Sequence, residues 1–130
     1  MTPETTVILL TLILAFISLG IPAVIRVANV GIGPLLGSRD NIPPVDSVYF
    51  QRADRANQNL KETLPWALAL LILVQVTEQA NATTAMGAWL YFGARSLYLP
   101  LYIFGVPVAR TLAWAAALVG LVFIALQLCS

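Results

Sequence analysis

Residues 52–65 read RADRANQNLKETLP, and residues 66–76 read WALALLILVQV. The first stretch gathers two arginines, a lysine, two acids and three side-chain amides; the second is almost purely apolar. Read as one helix from about Ser47 to about Thr77, this is a membrane span with a polar front half and an apolar back half. Pro65 lies inside it and predicts a bend. Arg52, Arg55, Asn59 and Glu62 are spaced 3, 4 and 3, which sets them on one helical stripe. Asp54, Gln58 and Lys61 are expected on other faces. A charge near mid-membrane costs at least ~2.5–3.5 kcal/mol on insertion scales, so such a stripe is a functional hypothesis by default.

Composition supports lipid as the solvent. Hydrophobic residues make up 59% of the 130 positions and charged ones 10%, with a mean hydropathy of +0.85. A soluble domain of this length could not hide that much apolar surface. Spans of roughly 20 apolar residues are therefore the elements to seek. Histidine is absent and Cys129 is the single cysteine. That removes histidine-based general base chemistry, a Cys/His metal site and an intrachain disulfide. The six acids are scattered, so no metal site is expected. A net charge of +1 suggests no nucleic-acid role.

Working outward gives three more spans and an all-α membrane protein with a four-helix transmembrane domain over residues 1–130. The first span runs from about residue 6 to 27 and the second from 47 to 77. The third covers about 84–104, with a possible bend at Pro100, and the fourth about 108–128. The first lacks a basic leader and is longer than the roughly 7–15 apolar residues of a signal-peptide core, so it reads as an anchor. Pro22 predicts a kink there with a freed carbonyl. Residues 29–46, NVGIGPLLGSRDNIPPVD, read as a turn-rich loop. GIGPLLG lacks the Lys-Ser/Thr and the preceding strand of a phosphate loop.

Five of the seven basic residues, Arg26, Arg39, Arg52, Arg55 and Lys61, fall between the end of span one and the front half of span two. Arg110 lies near the turn between spans three and four. The positive-inside rule then predicts both termini outside and these two connections in the cytoplasm.

Span three carries its own stripe, Arg95, Tyr98 and Tyr102, spaced 3 and 4. Two helices thus show polar stripes in an apolar background. The plainer alternative is that these groups only pair with one another, or that Arg52 and Arg55 anchor at headgroups. Arg95 sits about halfway along its span and needs a partner or a watery cleft. An antiparallel arrangement brings it within side-chain reach of Glu62, which predicts a structural Arg95–Glu62 ion pair, within one subunit or across a subunit interface. The whole set suits a small zwitterion with extra negative charge, since guanidinium groups bind carboxylates through paired hydrogen bonds.

RADRANQNLKETLP, through Arg55, Ala56, Asn59, Glu62 and Pro65, resembles the second-helix motif of the membrane-associated proteins in eicosanoid and glutathione metabolism, the MAPEG family. ARSLYLPLY, with Arg95, Tyr98 and Tyr102, is similar to that family's third-helix motif, and GSRDNIP (37–43) to loops of bacterial members. The resemblance implies a homotrimer, with glutathione as bound co-substrate between neighbouring subunits near the cytoplasmic side of a bacterial inner membrane. By carry-over, Arg26, Arg55, Asn59, Glu62, Tyr98 and Tyr102 hold glutathione. Arg110 resembles the arginine that stabilises its thiolate, with Thr111 standing where some members carry serine. The implied activity is a glutathione-dependent transferase or peroxidase acting on lipophilic electrophiles or hydroperoxides. The alternative is a non-catalytic membrane binding or structural protein that keeps the fold. A transporter fits less well, because no inverted repeat is visible.

Overall fold

The computed structural model describes residues 1–130 and contains five helices and no strand. Helix α1 spans Pro3–Val30, α2 Gly33–Leu36, α3 Val48–Val76, α4 Ala82–Ile103 and α5 Pro107–Cys129. The loop expected over residues 29–46 thus contains a further helix, the single turn α2. Pro34 presets a helical φ in its first turn, and the turn ends at the extended residue Gly37.

Local chemistry fixes the ends of the long helices. The Thr2 hydroxyl accepts from the Thr5 amide at 3.2 Å, and Pro3 follows as the first helical residue. Ser47 caps α3 through the Phe50 amide. Asn81 and Thr84 form a reciprocal capping box that starts α4. Gly31, at φ 82°, closes α1, and its amide bonds the Val27 carbonyl. Pro22, Pro65 and Pro100 stay inside α1, α3 and α4 without ending them. Each removes one N–H, so the carbonyl four residues earlier loses its helical partner. In α1 that carbonyl belongs to Ser18.

The closest pairs are α1 with α3 and α4 with α5, while α3 and α4 each also pack against the remaining long helices. At the α4–α5 crossing Gly87 meets Gly120. A Cβ at either position would lie 2.6 Å from the other's carbonyl oxygen. Only the absence of side chains lets the two backbones approach this closely.

The core has two parts along the bundle. The larger includes Val7, Leu71, Val74, Tyr91, Leu121 and Ile124. The smaller comprises Leu14, Ala56, Leu60, Tyr98 and Leu99. On α4, Arg95 falls between them and is only 2% exposed. At the end of the bundle away from the arginine-rich loops, buried Glu4 accepts a hydrogen bond from the Thr84 hydroxyl.

Three helices, α1, α3 and α5, are long and apolar enough to cross a membrane. Helix α4 falls outside that group, since Arg95, three tyrosines and two threonines lower its hydropathy. The outer surface is strongly apolar. Phe16 is 77% exposed and Trp66 70%. In water such a surface would be an aggregation liability; in lipid it is the solvated face.

Candidate functional site

The C-terminal ends of α1 and α4 and the N-terminal ends of α3 and α5 lie at one end of the bundle, because consecutive long helices run in opposite directions. Here α3, α4 and α5 enclose an open cavity of about 430 Å³. Its size falls within the roughly 300–1,000 Å³ of small-molecule sites. Helix α3 contributes Arg55, Gln58, Asn59 and Glu62, α4 contributes Tyr98 and Tyr102, and α5 contributes Arg110, Thr111 and Trp114.

Aromatic rings hold the cationic groups. Tyr98 and Tyr102 have ring centroids 5.5 Å apart, tilted by 60°. The Arg110 guanidinium carbon sits 4.4 Å from the Tyr102 centroid, and that of Arg55 sits 6.0 Å from the same ring. Tyr102 therefore bridges two arginines that would otherwise repel, an arrangement favoured by the ring's negative faces. Two guanidinium groups against one carboxylate, Glu62, leave the cavity net positive. Its chemistry suits a ligand with carboxylates for the arginines and an ammonium for Glu62.

Arg26 stands apart within the subunit. Its guanidinium carbon lies 5.1 Å from the Phe50 ring centroid. It lines a separate cavity with Arg39 and apolar residues of α1 and α2. Arg52 also leaves the stripe. Its Nη1 donates to the Ile103 carbonyl at 3.3 Å, which caps the end of α4. Gly105, at φ 73°, turns the chain so tightly there that a Cβ would lie 2.9 Å from the Arg52 guanidinium.

Within one subunit the expected Arg95–Glu62 ion pair is not what the structure contains. Arg95 Nη1 donates to Asn59 Oδ1 at 2.9 Å, and Nε and Nη2 have no partner. The reason is azimuthal. Three residues turn a helix by about 300°, so Glu62 points roughly 60° away from Asn59. Asn59 faces α4, whereas Glu62 is exposed at the cavity. The Arg95 guanidinium also lies over Tyr98, 4.3 Å from the ring centroid.

Two lining residues, Gln58 and Trp114, were not among the sequence candidates, and Thr111 was named only for its place beside Arg110. Gln58, expected on another face, lies three residues after Arg55 and four before Glu62, near enough to the stripe to reach the cavity. Thr111 and Trp114 follow Arg110 by one and four residues and share its side of α5. No group of three or more potential metal ligands occurs.

The sequence model of the MAPEG family matches residues 5–130, essentially the whole chain. The chain belongs to the MAPEG family. No curated protein and no solved structure matches it. MAPEG membership together with the three apolar helices makes this an integral membrane protein. The family is associated with glutathione, a tripeptide with two carboxylates, one ammonium and one thiol.

Proposed function

We propose that this MAPEG protein binds glutathione in the cavity between α3, α4 and α5 and activates its thiol for attack on lipophilic electrophiles. One observation carries the reading. Arg55, Asn59, Glu62, Tyr98, Tyr102 and Arg110, scattered over three helices, converge on a single cavity. Arg55 and Asn59 take a carboxylate and a peptide group of the ligand, Glu62 takes its ammonium, and the tyrosines wall the site. Arg110 sits nearest the thiol and stabilises the thiolate, as a fixed guanidinium favours a neighbouring anion. Arg26 completes the site from a second copy, since within one subunit it faces away.

In transfer, the thiolate sulfur forms a bond to the electrophilic carbon and the leaving group departs with its electron pair. In peroxidase turnover, two glutathione thiols reduce one hydroperoxide; the O–O bond breaks, giving one alcohol, one water and one glutathione disulfide. No protein nucleophile takes part in either path.

The chain forms one domain of four membrane-spanning helices, α4 being the span that carries the site's tyrosines. It assembles as a homotrimer in a bacterial inner membrane, with both termini outside and the cavity toward the cytoplasm. The arginine asymmetry supports that orientation.

The test uses detergent-purified protein. Glutathione should raise the unfolding temperature in a concentration-dependent way, and S-methylglutathione should do the same without supporting turnover of an aryl halide. No stabilisation by either compound would refute the reading. Stabilisation without turnover of an aryl halide or a lipid hydroperoxide would leave a binding protein in place of an enzyme.

A further inference from the structure

Arg95 does not line the main cavity, yet it holds a residue that does. Its side chain is 2% exposed, and Nη1 donates to Asn59 Oδ1 at 2.9 Å. A guanidinium has five N–H donors and no acceptor. The Asn59 atom beside it must therefore be the carbonyl oxygen, and the NH₂ group is left as the end free to face a ligand. Arg95 thereby decides which hydrogen-bonding sense Asn59 offers.

Arg95 Nε and Nη2 are buried and have no protein partner. Ser18 on α1 is 1% exposed, and its hydroxyl also has none. Both residues line one small cavity of about 10 Å³, walled by Leu14, Leu60 and Leu99 among others. That volume corresponds to about one water molecule, and a buried water needs two to four polar partners. The guanidinium supplies donors and the Ser18 hydroxyl supplies an acceptor. Pro22 adds a further acceptor nearby, because the Ser18 carbonyl has lost its helical N–H.

We propose that Arg95 is a positioning residue, tied to Ser18 through one buried water, and that it sets Asn59 as a hydrogen-bond donor toward a carboxylate or carbonyl oxygen of the bound ligand. The identity of that ligand as glutathione rests on the function proposed above. The inference extends the site inward by one layer, from the cavity wall to α1. It assigns Ser18, a small residue outside the main cavity, a share in ligand affinity.

The experiment is a double-mutant cycle on S-methylglutathione affinity, measured calorimetrically on the full chain in detergent. Arg95→Met and Asn59→Ala should each weaken binding about tenfold or more, the size expected for losing a hydrogen bond to a charged ligand. The double variant should bind about as weakly as Asn59→Ala alone, since Arg95 acts through Asn59. Ser18→Ala should weaken binding two- to threefold, and Arg95→Lys should recover part of the Arg95→Met loss. Multiplying effects in the double variant would refute the inference and assign Arg95 a general packing role. A second measurement needs no ligand: the side-chain amide NMR signal of Asn59 in ¹⁵N-labelled protein. It should shift in Ser18→Ala and Arg95→Lys, two mild changes that serve if Arg95→Met does not fold. An unmoved Asn59 signal overturns the inference whether or not glutathione binds. Absence of glutathione binding by the wild-type protein, with a shifted Asn59 signal, would refute the ligand and leave the positioning intact.

Discussion

Replacing Gly120 by alanine should loosen the α4–α5 pair while sparing the ligand site. The added Cβ would begin 2.6 Å from the Gly87 carbonyl oxygen and 3.0 Å from the Tyr91 amide nitrogen. Both obstacles are backbone, so no side-chain rotation relieves them. Ordinary contact distance is reached near 3.4 Å, so the helices must separate locally by several tenths of an ångström. Forcing extra volume into a packed contact costs about 1–3 kcal/mol, which lowers the folded-to-unfolded ratio by roughly 5- to 150-fold. Gly87→Ala meets the Gly120 carbonyl at the same 2.6 Å and should cost a similar amount. The double variant should cost less than the sum, because the separation forced by one methyl group makes room for the other. Fifteen residues part Gly87 from Tyr102 along α4. At about 1.5 Å per residue the crossing is therefore roughly 22 Å from the ligand end. Thermal unfolding in detergent should show the loss, and calorimetry with S-methylglutathione should show affinity within about twofold of wild type, a change of under ~0.5 kcal/mol. Single variants as stable as the parent would refute the close crossing.

Three further outcomes are expected. Arg55→Ala should weaken glutathione binding by ~1.5–3 kcal/mol, the value of a hydrogen bond to a charged group, while the purified protein keeps its elution volume; unchanged calorimetric affinity would take Arg55 out of the site. Arg110→Ala should reduce kcat about a hundredfold with a much smaller change in glutathione affinity, as for loss of one group aimed at developing charge; thiolate absorbance on mixing should fall with it, and an undiminished signal would reassign the role. A reporter fused to the C-terminus should be active only if it functions outside the cytoplasm; activity of a cytoplasmic reporter there would invert the orientation.

Much of this architecture was legible because lipid imposes simple rules. Long apolar runs announce the helices but not their ends: α4 begins at Ala82 behind its Asn81 cap, two residues before the expected start. The polar stripes stood out for the same reason, since a charge in lipid needs an explanation. Spacing gave the level of a side chain along a helix, and family resemblance gave its chemistry. Neither gave azimuth finely enough. Glu62 and Asn59 lie within one turn of each other, and only packing shows that Asn59, not Glu62, meets Arg95. Gln58 was missed for a related reason: it lies only about 40° beyond Glu62 around α3, on the same side. Helix α2 escaped because a four-residue turn with one proline has no periodicity to detect. The diversion of Arg52 to the Ile103 carbonyl depends on the tight turn at Gly105, which linear spacing does not describe.

Trp114 gives the protein a built-in optical label. It lines the cavity beside Arg110 and Thr111. Neither of the other two tryptophans does: Trp66 is 70% exposed on the apolar surface, and Trp89 packs edge-on against Phe92. Replacing both by phenylalanine would leave one indole in the chain, and its emission would report directly on what occupies the cavity. Site occupancy could then be followed in intact bilayers, with no dye, affinity tag or modified substrate.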